Sequence, residues 1–155
     1  MIPENIIDFL QKQIFIHIGT RDAKLRGREI MGWGIRPGTD KKTITAFIPQ
    51  SVAEKTLSNL KDNGRIAVTC VFPPGNISFQ FKGTYISHQN ATAQDEALLD
   101  KHVSGYLPFL TSLGLPTDFM AGIKDIAYKP AYGITFGVEE IFNHTPGPDA
   151  GKKIV

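Results

Sequence analysis

Four of the five arginines of this 155-residue chain, Arg21, Arg26, Arg28 and Arg36, fall in one short stretch. Arginine presents a planar fork of donors that suits bidentate binding of a phosphate or a carboxylate. With Lys24, Lys41 and Lys42, and against Asp22, Glu29 and Asp40, residues 21–42 carry a net charge of +4, whereas the whole chain carries +2. The rest of the protein is therefore slightly acidic. Two readings stand: a local anion site, or a solvated hairpin whose charges serve solubility.

Other side chains with chemical potential are dispersed. His17, His88, His102 and His144 have no metal-ligand spacing, and the single cysteine excludes both a CxxC zinc site and an internal disulfide. Cys70 lies inside an apolar run and reads as a core residue. Ser51 reads as a helix cap in a Ser51-Val52-Ala53-Glu54 capping box, with no G-x-S-x-G elbow around it. The glycines of Gly32-Trp33-Gly34-Ile35-Arg36-Pro37-Gly38 have the wrong spacing and context for a dinucleotide fingerprint. With no nucleophile or acid-base pair apparent, demanding chemistry would have to come from a cofactor.

The elements that would position these residues follow from periodicity. Pro3 opens a helix over about residues 3–12, with Ile6, Ile7, Phe9 and Leu10 on one stripe. Strands are predicted from Ile14 to Ile18, ended by Gly19, from Glu29 to Ile35, and from Lys42 to Ile48. A helix carrying Leu57 and Leu60 ends at Asn63-Gly64, a left-handed C-cap. Ile66–Phe72 is an apolar strand, Pro73–Asn76 a turn, and Ile77 to about Ser87 an alternating strand. Thr92 caps another helix, interrupted by Gly105 and Pro108, and 105–125 reads as loop and short turns.

Ala127–Phe142 holds a final strand with Tyr132, Ile134, Phe136 and Val138 on one face. Ala131, Gly133, Thr135 and Gly137 lie on the other, a bare face open to a second subunit, another backbone or a flat ligand. The fold class is mainly β (α+β), a six-stranded antiparallel split β-barrel with flanking helices.

Length and composition agree with this. With 41% hydrophobic and 21% charged residues, the sequence fits one domain over residues 1–155. Its longest apolar run is far short of the ~20 residues of a membrane helix. Met1-Ile2-Pro3-Glu4-Asn5 lacks the basic start and apolar stretch of a signal peptide, so the expected location is cytoplasmic.

The order of these elements, with Leu60-Lys61-Asp62-Asn63-Gly64-Arg65-Ile66-Ala67-Val68 and Phe79-Gln80-Phe81-Lys82-Gly83 in their places, resembles the pyridoxamine 5'-phosphate oxidase-like family of FMN-binding split β-barrels. That family has an Asn-Pro-Arg before an apolar strand, where this chain has Asn63-Gly64-Arg65. The resemblance covers about residues 5–87, with the 132–142 strand and the tail as its C-terminal end. It implies a homodimer with FMN at the interface and a small-molecule substrate for a flavin-dependent oxidoreductase.

The implied cofactor residues are Arg28 at the start of a phosphate-facing strand and Phe47, Ile48, Pro49, Gln50 and Ser51 along the third strand and turn. Ser51 at a helix start would favour an anion. Trp33 would wall the ring, and Ser78 lies near the place where oxidases direct a glutamine at the flavin. The family's Ser-Arg-Lys phosphate clasp falls on Glu54-Lys55-Thr56, which leaves Lys55 as its basic member, and Pro49 stands where a hydroxyl would help.

Two alternatives accompany this reading. One is a non-catalytic binder of flavin, deazaflavin or haem, the last with His17 or His144 as axial ligand. The other is an OB-like single-strand nucleic-acid binder that uses the basic arm with Phe79 and Phe81 as stacking platforms.

Overall fold

A computed structural model describes residues 1–116, 118 and 127–155. Among the described residues three α-helices and seven strands follow one another as α1 (Glu4–Leu10), β1 (Phe15–Arg21), β2 (Gly27–Gly32), β3 (Gly34–Pro37), β4 (Thr43–Pro49), α2 (Glu54–Asn63), β5 (Arg65–Phe72), β6 (Ile77–Asn90), α3 (Ala93–Ser112) and β7 (Ala131–Asn143). The strands form one sheet in the order β2-β1-β5-β6-β7-β4-β3, with every neighbouring pair antiparallel.

The seventh strand arises because the predicted Glu29–Ile35 strand breaks at Trp33. Its two halves, β2 and β3, lie at opposite edges of the sheet although only Trp33 separates them. The sheet must therefore curl until its edges meet at this residue, whose backbone N–H donates to Phe47 O at 2.9 Å. This is the expected split barrel, closed at one residue.

Inward-facing Ile16, Ile18, Ile44, Ile48, Val68, Cys70, Phe81, Ile134 and Phe136 fill the interior with essentially no exposure. Helix α1 adds Ile6, Phe9 and Leu10 to that core. Burial pushes the Cys70 thiol well above its ordinary range, so it is an inert core residue as expected. Phe79 packs edge-on against Phe9 with ring centroids 4.9 Å apart, and Phe81 is sealed. Neither is the exposed platform that single-strand stacking would need.

A second cluster of Trp33, Phe47, Leu99, Tyr106 and Ala131 lies beneath α3. Contrary to the expected interruption, α3 runs unbroken through Gly105 and Pro108. Tyr106 and Leu110 bury on either side of the proline, and this tertiary anchoring outweighs its poor helix propensity. At Gly105 a Cβ would run into the Gln13 side chain, whose Nε2 donates to His102 O at 2.9 Å. Of the loop expected over 105–125, residues 117 and 119–126 lie outside the described residues.

The cap at Thr92 is as expected: its Oγ1 accepts from Asp95 N at 3.2 Å, and Asp95 Oδ2 accepts from Thr92 N at 3.0 Å. Thr92→Ala should lower unfolding stability by about 1 kcal/mol in urea melts, whereas Thr92→Ser should be near neutral.

The capping box predicted at Ser51 is not formed. Gln50–Val52 is a turn of 3₁₀ helix, and Ala53, itself in right-handed helical conformation, is the N-cap of α2 without a side-chain bond. The helical winding thus starts before Ser51, too early for that residue to hold the extended cap conformation. At the other end of α2 the expected left-handed cap is present, with Gly64 at φ 68°.

At Gly133 the bare face of β7 is filled from within the chain. Phe47 lies opposite Gly133, where an added Cβ would stand 2.8 Å from Phe47 Cε1. At Gly133 the approach that glycine permits is thus made by Phe47, not by a second subunit or a flat ligand.

His102 couples α3 to the end of α1. Its Nε2 lies 3.2 Å from Tyr106 Oη, which donates to Ile14 O at 3.0 Å. Burial drives the His102 pKa down to about 4 from an ordinary 6.5. The folded state thus holds the ring neutral while the unfolded chain protonates it. Its contribution is complete above pH 6.5 and is lost as pH falls from there toward about 4. Urea melts at pH values inside that window should show a loss of up to about 3 kcal/mol that His102→Gln abolishes.

Candidate functional site

The four clustered arginines do not make one patch. Arg36 lies beside α3, where its Nε donates to Asp95 Oδ1 at 3.0 Å, and Arg21 lines a separate hollow on the outer sheet face with Arg65 and Lys82. Arg26 and Arg28 remain together at the start of β2. There, with Lys55 from the first turn of α2, they line a concavity of about 460 Å³ whose other walls are Asp22, Gly27 and Glu29.

Charge pairing decides which of these groups could hold a ligand. Asp22 accepts from Arg26 Nε at 2.8 Å and from the backbone N–H groups of Lys24 and Arg26. Those bonds, the Arg26 N–H first, hold its carboxyl below the usual range. Glu29 is engaged by His17, with Nδ1 to Oε1 at 2.8 Å. Both carboxylates are thus committed to other partners. Arg28 and Lys55 have no side-chain partner among the described residues, so the hollow presents two unpaired cations, with Asp22 and Glu29 in its other walls.

A second concavity of about 290 Å³ adjoins the first along β2. Ile30, Met31, Trp33, Pro49, Ser51, Val52 and Ala127 line it. Its described walls are apolar except for the Ser51 hydroxyl, which has no hydrogen-bond partner among the described residues. Val52 is unusually exposed for a valine, at 46%. A basic end followed by an apolar trough suits a ligand with an anionic group and a flat apolar body. The site lies on an edge strand, because β2 is paired only with β1, and the trough is open along that edge.

Of the residues predicted for a cofactor, Arg28, Lys55, Ser51, Pro49 and Trp33 come together here. Trp33 contributes only an edge: it is 5% exposed and packs edge-on to Tyr106, with centroids 5.8 Å apart. Phe47 and Ile48 are sealed in the two cores and offer no side-chain surface to the trough. Gln50 braces the turn by donating Nε2 to Asn90 Oδ1 at 3.0 Å.

Ser78 lies at the start of β6 under the C-terminal tail. Its N–H donates to Thr145 Oγ1 at 3.0 Å and its carbonyl accepts from His144 N at 2.8 Å. It lines neither concavity. Asn63-Gly64-Arg65 is likewise structural, with Asn63 Nδ2 donating to Arg21 O at 2.7 Å and Oδ1 accepting from Arg65 N at 3.0 Å.

Ile30, Met31 and Val52 are lining residues that sequence reasoning passed over. Ile30 had a readable signal, since it follows Arg28 by two residues on a strand and shares its face. Val52 had none, because its exposure follows from the 3₁₀ turn that replaced the expected cap.

No family model and no curated protein matches the chain. Solved structures do. HupZ of Group A Streptococcus is 25% identical, with 97% of this chain and 100% of that chain covered at a TM-score of 0.58. A Clostridium acetobutylicum protein of the pyridoxinephosphate oxidase family, related to general stress protein 26, is 17% identical over 99% of this chain and 97% of that chain, TM-score 0.55. An FMN-binding protein of Syntrophomonas wolfei is 13% identical over 83% of this chain and 75% of its own, TM-score 0.52. Among the described residues no helix is long and apolar enough to cross a membrane, and no group of three or more His, Cys, Asp or Glu side chains could hold a metal. In fold, the chain is a split barrel of the pyridoxamine 5'-phosphate oxidase-like kind.

Proposed function

We propose that the chain binds FMN along β2, with the phosphate between Arg28 and Lys55 and the ring system toward Ile30, Pro49, Val52 and the edge of Trp33. In this reading it is a flavin-dependent oxidoreductase acting on a small molecule. The observation that carries the proposal is the pair of cations without carboxylate partners, set at one end of an apolar trough. Ser51, whose hydroxyl has no partner among the described residues, adds a donor to the trough.

The trough is open along the sheet edge, so a second copy of the chain would supply the missing wall and the active species would be a homodimer. Bound flavin supplies hydride or electron transfer. The protein's own part is to neutralise the phosphate, exclude water from one ring face and hold the ring in orientation.

Protein purified without added cofactor should show an absorbance band near ~450 nm that bleaches with NADH or NADPH. Absence of the band together with no change on FMN titration removes the proposal. A stable band that neither nucleotide bleaches assigns the chain to flavin binding without this reductase activity.

One observation favours a second reading, haem binding at His17. Its Nδ1 is engaged by Glu29, which fixes the ring and leaves Nε2 free on a side chain 46% exposed, an arrangement typical of ligating histidines. A Soret band near ~400 nm on haem titration, lost in His17→Ala, would identify it.

A further inference from the structure

Between the end of α1, strand β3 and the middle of α3 lies a cavity of about 680 Å³ that shares no residue with the trough along β2. Its apolar side is made by Leu10, Ile35 and Leu98, and its polar side carries Lys12, Arg36 and Lys101. Among the described residues no carboxylate lines it. Its volume is in the ordinary range for small-molecule pockets, and the combination of apolar walls with a few convergent charges is the usual one.

Arg36 is set as a fixed fork. Its Nε is taken by Asp95 at 3.0 Å, and its guanidinium lies over the Phe47 ring at 5.9 Å. Asp95 is itself locked into the capping box of α3 by Thr92. Despite its burial, hydrogen bonds from Thr92 and Arg36 hold its carboxyl below the usual range, so the clamp is charged at neutral pH. The two terminal amino groups of Arg36 have no partner among the described residues, which leaves both parallel donors of a bidentate contact available.

Lys12 is steered by the Phe72 ring, 5.0 Å away, and the Lys101 ammonium has no partner among the described residues. His102, neutral for the reason given above, neither adds to nor opposes this charge.

We infer that this α1–β3–α3 cavity is a second ligand site, distinct from the trough along β2, and that it takes a small organic anion with a carboxylate or phosphate group on an apolar body. The oxyanion pairs with the Arg36 fork, while Lys12 and Lys101 supply the surrounding positive field. The apolar body lies against Leu10, Ile35 and Leu98. The inference does not depend on flavin binding.

The test is an amide chemical-shift titration of the full chain with benzoate, phenyl phosphate and the neutral benzamide. At least one of the two anions should produce saturable shifts confined to residues 11–13, 35–36 and 98–105, with a dissociation constant below about 1 mM. Which anion binds more tightly tells carboxylate from phosphate. Benzamide should bind at least about tenfold more weakly, and Lys101→Glu, an exposed change, should cost the preferred anion about tenfold while preserving the folded spectrum. Arg36→Gln should cost it at least as much.

No saturable shifts with either anion, equal binding of benzamide, shifts centred instead on Arg28 and Lys55, or undiminished affinity in folded Lys101→Glu would each overturn the assignment.

Discussion

Arg28→Ala is expected to weaken FMN binding by about 10- to 100-fold, the loss of one charge-assisted contact to a phosphate. Lys152→Ala, which removes a cation bonded only to Asp149 near the C-terminus, should leave the affinity unchanged. The contrast follows from the pairing pattern around the β2–α2 concavity. Asp22 is occupied by Arg26 and Glu29 by His17, so neither is placed to neutralise Arg28. Arg26→Ala should therefore have a smaller effect than Arg28→Ala, because Arg26 already has a carboxylate partner. Fluorescence titration of FMN against the three variants checks the order, and equal affinities for Arg28→Ala and Lys152→Ala would mean that the phosphate lies elsewhere.

The largest expected loss of stability lies away from the site. Gly83 pairs with Val138 next to a shift in the β6–β7 register, and a Cβ at Gly83 would overlap the Gly137 carbonyl oxygen and stand 3.1 Å from Phe136 Cδ2. Neither neighbour is the yielding end of a flexible chain: one is backbone and the other a sealed core ring. Gly83→Ala should cost about 3 kcal/mol or more in denaturant melts, at the upper end of overpacking effects.

Gly137→Ala is the control, since its Cβ would meet only Ile86 Cδ1 at an ordinary 3.8 Å. It should lie within about 1 kcal/mol of the parent. A Gly83→Ala variant as stable as the parent would mean that the two strands do not approach so closely.

The sequence made the barrel legible because its strands alternate. Phe81, Ile134 and Phe136 lie sealed on the apolar face that the period-2 alternation of their strands assigns, and Thr92 and Gly64 mark helix ends with local chemistry that needs no tertiary context.

What was not legible depended on contacts distant in sequence. The break at Trp33 is set by sheet closure, since one backbone bond to Phe47 ties the strand's second half to the opposite edge. The continuity of α3 through Pro108 is set by the burial of Tyr106 and Leu110, Tyr106 clustering with Trp33 and Phe47 from far earlier in the chain. At the site, Arg28, Ser51 and Lys55 could be named from the resemblance, but not the reason that Arg28 and not Arg26 is available. That reason is a pairing pattern in which Arg26 closes back on Asp22 within one turn and His17 reaches across from β1 to Glu29. The dispersal of Arg21 and Arg36 to other surfaces was equally hidden, because it follows from strand placement: Arg21 ends β1, whereas Arg36 lies on β3, at the other end of the sheet order from β2.

The central claim is that Arg28 and Lys55 together hold the phosphate of a flavin. It is tested most directly by titrating FMN and riboflavin, which differ only by that phosphate, into the parent protein and into Arg28→Ala/Lys55→Ala. FMN should bind the parent at least about 100-fold more tightly than riboflavin does, and the two should bind the double variant within a few-fold of each other, since the phosphate has then lost both cations. Equal affinities for the two flavins in the parent, or an FMN preference that survives intact in the double variant, would contradict the account.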